Sequence, residues 1–201
     1  MYGFVIGGGK SSRMGGLRKL LCQLSDQTLL TRINARFAPQ VDRFVINAND
    51  RQDFEGKTND PVIEDELAGH LGPLAGIHTC LSYARANAPN EVWIASVASD
   101  TPFIPSDLVE KLEAVASDNV DAVIASCGGQ AHRLCGLWRT SLLARLEKAI
   151  LEDETRAVRH WLKDISVAEV AFSESPFDPF FNINTPEDLL EGERLIEAHN
   201  L

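Results

Sequence analysis

The sequence has 201 residues, of which 44% are hydrophobic and 24% charged, a composition typical of a folded globular protein and not of a disordered or fibrous one. This length favours one domain, so we expect a single domain over residues 1–201. The 19 basic residues are outnumbered by 29 acidic ones, which gives a net charge of −10. Because nucleic-acid binding depends mainly on Lys and Arg at phosphates, this charge argues against a nucleic-acid partner.

The sequence predicts neither an export signal nor a membrane span. No apolar run approaches the roughly 20 residues needed to cross a bilayer. Residues 1–6 lack the basic flank and the long apolar stretch of a signal peptide. The four cysteines include no C-x-x-C pair, which in a chain of this size is typical of reduced thiols. We therefore expect a cytoplasmic protein with no membrane partner, whose cysteines perform no chemistry.

Short apolar runs alternate with stretches of helical period along the chain. The predicted strands are residues 4–6, 43–47, 61–65, 92–98, 120–125, 134–138 and 167–172. The predicted helices are residues 28–38, 74–86, 108–115, 142–151, 157–162 and a last one with Thr185 as its N-cap. The run 92–98 lacks polar alternation, which is typical of a central strand buried on both faces, whereas 167–172 resembles an edge strand. The pattern predicts an α/β fold, a mostly parallel sheet with helices on both faces.

A glycine-rich and basic segment, residues 6–19, follows the first predicted strand. Its glycines allow backbone N–H groups to converge on an anion. Four basic side chains lie in it: Lys10, Arg13, Arg18 and Lys19. The spacing matches neither the P-loop pattern G-x-x-x-x-G-K-[ST] nor the dinucleotide pattern G-x-G-x-x-G. The combination of glycines and positive charge predicts a site for a polyphosphate ligand.

A carboxylate follows the predicted central strand, in the sequence Ser99-Asp100-Thr101-Pro102. In open α/β sheets, ligands bind beyond the carboxyl ends of the strands, so we expect Asp100 beside the glycine-rich segment. Mg²⁺ prefers one or two carboxylates together with substrate phosphate oxygens. Asp100 is therefore a candidate Mg²⁺ ligand, with a helix cap or turn residue as the alternative.

Motifs spread over nearly the whole chain occur in the same order in one enzyme family. They are residues 6–9, 12–15 and 19, then 45–49, 62–65, 72–76 and 100–105, and finally 181–189. With these motifs the chain resembles the molybdenum cofactor guanylyltransferase family of the nucleotidyltransferase superfamily. The resemblance implies a Rossmann-like nucleotidyltransferase fold and transfer of GMP from GTP to metal-bearing molybdopterin, with Mg²⁺ as cofactor. It also implies proteins that deliver the product to molybdoenzymes as further partners.

The resemblance further implies roles for individual residues. The nucleotide-binding residues it implies are Ile6, Gly7, Gly8, Lys19, Asn47, Asp65 and Asp100. Of these, Asp100 would also hold Mg²⁺ and Lys19 would contact the phosphates. The chemistry of the predicted transfer adds that Arg13 and Lys19 would offset charge on the leaving pyrophosphate. At the acceptor, the resemblance implies Arg156. Asn182 and Asn184, which come just before a predicted helix, are candidates to orient the acceptor phosphate or metal-bound water, with turn and capping roles as the alternative. His132 is a weaker candidate for contact with an anionic second substrate, with a surface loop as its alternative.

Other functions stay open at this point. Within the same class, the residues do not distinguish guanine from cytosine, so a cytidylyltransferase for the same pterin or a sugar-1-phosphate nucleotidyltransferase is an alternative. From another class, a guanine-nucleotide and pterin-binding adaptor would need no catalysis. A phosphate nucleophile is already ionised near neutral pH, so nucleotidyl transfer requires no Ser-His-Asp or Cys-His arrangement.

Overall fold

The computed structural model describes residues 1–7, 19–69 and 71–201. The strands in these residues are β1 Tyr2–Ile6, β2 Gln23–Leu24, β3 Gln27–Thr28, β4 Arg43–Asn47, β5 Val62–Ile63, β6 Trp93–Ala98, β7 Ala122–Cys127, β8 Gln130–Arg139 and β9 Val167–Phe172. Seven of them form one sheet in the order β5-β4-β1-β6-β8-β7-β9, and β2 pairs with β3 separately. This order confirms the predictions that β6 is a central strand and that β9 is an edge strand.

Most neighbouring strands of the large sheet run parallel. The strand β1 pairs in parallel with β4 and β6, β4 with β5, and β7 with β9. The exception is β8, which runs antiparallel to both β6 and β7. The prediction of a mostly parallel sheet is confirmed, while the single domain over residues 1–201 stays a prediction.

A tight hairpin explains the direction of β8. Gly128 and Gly129 connect β7 to β8 with φ angles of 55° and 76°, the positive values that a type I′ turn requires at both central residues. Such a two-residue turn can only join antiparallel strands. The strand also begins at Gln130, four residues before the predicted start at residue 134. The glycine pair is the sequence signal that indicates this hairpin.

Helices lie on both faces of the sheet, as predicted. Their bounds are α1 Leu29–Phe37, α2 Pro73–Asn87, α3 Leu108–Glu113, α4 Leu143–Leu151, α5 Val158–Trp161 and α6 Pro186–His199. Thr185 caps α6 as predicted, accepting a hydrogen bond from the Asp188 N–H. None of these described helices is long and apolar enough to cross a membrane.

The sheet separates two hydrophobic cores. One contains Phe37 of α1 and Val5 of β1, and the other contains Ile77 of α2 together with Phe4 and Ile6 of β1. Successive residues of β1 therefore point to opposite faces, as the period of a strand requires. Burial on both faces holds the strands in register, which places the carboxyl ends of β1, β4, β5 and β6 at one edge of the sheet.

Candidate active site

The carboxyl ends of three parallel strands bring the first predicted site residues together. Ile6 lies opposite Asn47 of β4 on one side and Ala98 of β6 on the other. Beyond β1, the Gly7 N–H donates to the Asn47 carbonyl oxygen at 2.8 Å, and the Ser99 N–H donates to the Ile6 carbonyl oxygen at 3.1 Å. Gly7 and Ser99 are thus tied to the ends of neighbouring strands. The predicted site residues Gly8 and Arg13 lie outside the described residues.

Two asparagines hold the carboxylate of Asp65. The Asn47 side chain is fully buried, and its Nδ2 donates to Asp65 Oδ1 at 3.0 Å. The Asn49 Nδ2 donates to Asp65 Oδ2 at 3.0 Å, and the Asp65 N–H donates to Asn49 Oδ1 at 3.0 Å. Both carboxylate oxygens are therefore oriented by protein donors. Asn49 was not a predicted site residue, although its place two residues after Asn47 was a signal for it.

The second polar atom of the Asn47 side chain is a buried acceptor that lies beneath α2. Asn47 Oδ1 is buried and has no hydrogen-bond partner among the described residues. Gly76 of α2 lies against this side chain: a Cβ at position 76 would be 2.7 Å from Asn47 Oδ1 and 2.8 Å from Ile6 Cγ2. Only glycine permits this close approach, so α2 can pack directly over the end of β4.

A lysine, an aspartate and an asparagine from distant parts of the chain meet beside the end of β6. The Lys19 ammonium donates to Asn184 Oδ1 at 2.6 Å and lies 3.3 Å from Asp100 Oδ2. The Ile183 N–H donates to the Asp100 carbonyl oxygen at 2.9 Å, which joins the segment before α6 to the end of β6. The side chains of Lys19 and Asp100 are 19% and 23% exposed, so a ligand can reach both.

A cavity of about 380 Å³ opens on the other side of Asp100. Asp100 and Asn182 line one part of it, and the start of β8 and the helix α5 line the rest, through His132, Arg133 and Arg159 among others. In the sheet, β6 lies between β1 and β8. The cavity therefore lies on the β8 side of Asp100, and the Asn47–Asp65 pair lies on the β1 side.

The structure does not bring the predicted acceptor residue Arg156 to this cavity. Its guanidinium donates to the carbonyl oxygens of Ile150 and Thr155, at 2.7 and 3.1 Å, and so joins the end of α4 to the segment before α5. Arg159 lies three residues further on and does line the cavity. Arg156 is therefore engaged in hydrogen bonds to the backbone, whereas Arg159 lines the cavity, where a ligand can reach it.

His132 is a buried residue of β8, so the alternative of a surface loop is wrong. It is 8% exposed and stacks on Phe180, with ring centroids 4.6 Å apart and planes at 21°. Burial lowers the pKa of His132, against the opposing effect of Asp178 and Asp100, and Arg133 lowers it further. The imidazole is therefore neutral near pH 7, and its Nε2 has no hydrogen-bond partner among the described residues.

These groups form a two-part site at the carboxyl edge of the sheet. One part is the amide–carboxylate pair of Asn47 and Asp65, the other is the cavity with its two arginines, and Asp100 with Lys19 lies between them. This arrangement defines a nucleotide-binding α/β enzyme, because such enzymes bind ligands beyond the carboxyl ends of parallel strands. Charged groups on both sides of Asp100 suit two substrates that meet there.

Comparison with known proteins agrees with this class. The chain belongs to the family of MobA-like NTP transferase domains, whose model matches residues 3–170. A molybdenum cofactor guanylyltransferase of Rhodopseudomonas palustris (strain BisB5) is 40% identical over 193 residues, which cover 95% of this chain and 91% of that protein. One from Nitrobacter hamburgensis is 37% identical over 194 residues, covering 96% and 93%.

A solved structure shares the fold over almost the whole chain. The crystal structure of molybdopterin-guanine dinucleotide biosynthesis protein A from Archaeoglobus fulgidus superimposes with a TM-score of 0.76 at 25% identity. The match covers 98% of this chain and 100% of that one. The predicted nucleotidyltransferase fold is therefore confirmed.

Proposed function

We propose that this protein is a molybdenum cofactor guanylyltransferase, which transfers GMP from GTP to metal-bearing molybdopterin and releases pyrophosphate. The observation that carries the proposal is the meeting of Lys19, Asp100 and Asn184 between a buried amide–carboxylate pair and an arginine-lined cavity. A relative of that name is 40% identical over 95% of this chain, and the two-part site suits a nucleotide donor and an anionic acceptor.

The Asn47–Asp65 pair is the proposed guanine site. Guanine presents N1–H and N2–H₂ donors on one edge, which carboxylate and amide oxygens accept. Asp65 keeps acceptor capacity beyond its bonds to Asn47 and Asn49, because a carboxylate has about four lone-pair sites. Ile6 and Gly7, at the end of β1, would line the nucleotide beside this pair. Gly8 and Arg13 stay predictions from the resemblance.

Asp100 fits the role of a Mg²⁺ ligand. Its carboxylate is reachable, at 23% exposure, and lies between the two parts of the site. The described residues contain no group of three or more His, Cys, Asp or Glu side chains that could hold a metal. Mg²⁺ prefers one or two carboxylates together with substrate phosphate oxygens, and Asp100 would supply a carboxylate of this kind. When bound, the ion would neutralise charge on those phosphates.

The proposed reaction needs no proton transfer by the protein. A phosphate oxygen of the acceptor forms a bond to the α-phosphorus of GTP, and the bond from that phosphorus to the bridging oxygen breaks. The electron pair leaves with pyrophosphate. Lys19 would offset the charge on the leaving group, and Asn182 and Asn184 would orient the acceptor, so positioning and charge neutralisation supply the catalysis.

Calorimetry and a turnover assay test the proposal together. GTP with Mg²⁺ should bind more tightly than CTP or UTP, and pyrophosphate should appear only when molybdopterin is also present. Tighter binding of CTP would overturn the guanylyl assignment in favour of the cytidylyltransferase. Binding of both substrates without any pyrophosphate release would favour the adaptor.

A cytoplasmic location is part of the same proposal. All four cysteines are buried and no disulfide joins them, as expected in a reducing compartment. Burial raises the pKa of Cys135 to about 12 and is also the main reason that the pKa of Cys127 is raised to about 11. Both thiols therefore stay protonated and unreactive at neutral pH. The delivery proteins stay a prediction.

A further inference from the structure

A short part of β8 beside the cavity is not paired with either neighbouring strand. Gly136 lies opposite Ile124 of β7, and His132 lies opposite the next residue of that strand, Ala125. The residues 133–135 therefore have no partner on β7, and the pairing of β8 with β6 has also ended at Gly136. We refer to residues 133–135 as the β8 bulge. Bulges redirect side chains and are common next to active sites.

The β8 bulge is anchored to the centre of the sheet. Ser96 of β6 donates its hydroxyl hydrogen to the Leu134 carbonyl oxygen at 2.7 Å, and Trp138 Nε1 donates to Ser96 Oγ at 2.8 Å. Ser96 and Trp138 are 1% and 0% exposed, respectively. A buried chain of hydrogen bonds thus holds the bulge in place. All three bulge residues line the cavity, so their position there is built into the core.

Two guanidinium groups in the cavity are available for a ligand. Arg133 of the β8 bulge and Arg159 of α5 are exposed and line the same cavity. Neither forms a hydrogen bond or an ion pair with any residue that the structure describes. Among the described lining residues the one carboxylate, Asp100, already has Lys19 at 3.3 Å. In a chain of net charge −10, such a local concentration of unpaired positive charge favours an anionic ligand.

His132 supplies an independent indication of a ligand. It lines the cavity, is 8% exposed, and its Nε2 has no partner in the described part of the chain. Buried polar atoms are nearly always hydrogen-bonded, so one without a partner calls for an explanation. A polar group of a bound molecule would explain it. The stack on Phe180 keeps the ring in a fixed plane.

We propose that Arg133 and Arg159 bind the phosphate group of the acceptor substrate and so determine which acceptors this enzyme accepts. The proposal rests on the proposed function and adds the residues of the second subsite. A guanidinium matches the geometry of a phosphate with two parallel N–H donors, which a lysine cannot reproduce. A phosphate held there lies beside Asp100, where the acceptor must meet the nucleotide.

Steady-state kinetics of Arg133→Ala, Arg159→Ala and the double variant test the proposal. Each loss of a charge-assisted hydrogen-bond donor should raise the KM for molybdopterin about tenfold or more, while the KM for GTP stays unchanged. Arg133→Lys should recover part of the loss, because it restores the charge without the second donor. The matched control is Arg194→Ala, which removes an exposed arginine of α6 that is 73% exposed and paired with Glu191.

Calorimetric titration of each variant with molybdopterin alone separates binding from turnover. A normal transfer reaction with an unchanged molybdopterin KM and affinity in the variants would overturn the subsite and leave the proposed function standing. An equal rise in the KM for GTP would also overturn it, because the arginines would then bind nucleotide phosphates. A wild-type protein that neither binds molybdopterin nor transfers GMP would overturn both proposals.

Discussion

The two parts of the site differ in how their polar groups are satisfied. On the proposed nucleotide side, Asn47, Asn49 and Asp65 bond to one another, so their geometry is set by the protein itself. On the proposed acceptor side, Arg133 and Arg159 have no partner among the described residues. The difference indicates that the first part selects by fixed shape and hydrogen-bond pattern, while the second selects by charge.

The largest effect is expected at Asp100, which lies between the two parts. Asp100→Asn keeps the size of the side chain and removes the charge that would hold Mg²⁺ and face Lys19. We expect kcat to fall on the order of 100-fold or more, since several kcal/mol of charge stabilisation are lost. The turnover of purified protein with saturating GTP and molybdopterin measures this. The control is Asp118→Asn, a fully exposed aspartate paired with Arg139 at 3.3 Å. Wild-type turnover in Asp100→Asn would show that the two parts do not meet there.

A somewhat smaller effect is expected at Lys19. Lys19→Gln removes the charge opposite Asp100 and weakens the bond to Asn184. A hydrogen bond to a charged group contributes about 1.5–3 kcal/mol, so kcat/KM for GTP should fall roughly 10- to 150-fold. Lys148→Gln, on the exposed side of α4, is the matched control. If only the KM for molybdopterin changed, Lys19 would act on the acceptor side of the site and not on the nucleotide side.

A moderate effect confined to one side is expected at Asn49. Asn49→Ala removes two hydrogen bonds to Asp65, one to its carboxylate and one from its N–H. The loss of about 1 kcal/mol for each of the two bonds should weaken GTP binding about 30-fold, with the molybdopterin KM unchanged. Calorimetry with GTP measures this, and Asn87→Ala, an exposed asparagine that donates to the Tyr83 carbonyl oxygen, is the control. An equal loss of affinity for GTP and for molybdopterin would indicate that a change on the nucleotide side also alters the acceptor side.

The smallest effect is expected from the buried histidine of the acceptor side. Burial lowers the pKa of His132 in the folded protein below its value of about 6.5 in the unfolded chain. The unfolded chain therefore binds more protons as the pH falls through this range, and the free energy of unfolding decreases. Urea denaturation at pH 7.5 and 5.5 should show a smaller decrease for His132→Gln than for the wild type. The same change at the exposed His160 is the control; identical pH dependence in all three proteins would contradict the prediction.

Much of the nucleotide side could be located from the sequence. Asp100 follows a predicted strand, and the carboxyl ends of parallel strands share one edge of the sheet, which implied that Asp100 lies near the end of β1. Asn47 and Asp65 were implied by the family resemblance. The hydrogen bonds between Asn49 and Asp65 were harder to predict from the sequence, because they depend on the path of the chain between β4 and β5.

The acceptor side could not be located in the same way. Arg156 and Arg159 are three residues apart on or beside the same short helix, yet Arg156 donates to backbone carbonyl oxygens while Arg159 lines the cavity. The β8 bulge is equally hidden, since its anchor at Ser96 lies 38 residues from Leu134 along the chain. Sequence patterns show the hydrophobic periodicity of neighbouring residues, whereas these contacts depend on how segments distant in the chain pack together.

The sequence by itself determined the alternation of strands and helices, the central place of β6 and the residues at the ends of the parallel strands, because hydrophobic periodicity is a local property of the chain. Only the tertiary structure decided that β8 lies between β6 and β7 in the sheet, that Lys19 meets Asn184, and that Arg133 and Arg159 face one cavity. Those contacts join segments that are far apart in the chain, and their geometry follows from how the two cores pack against the sheet.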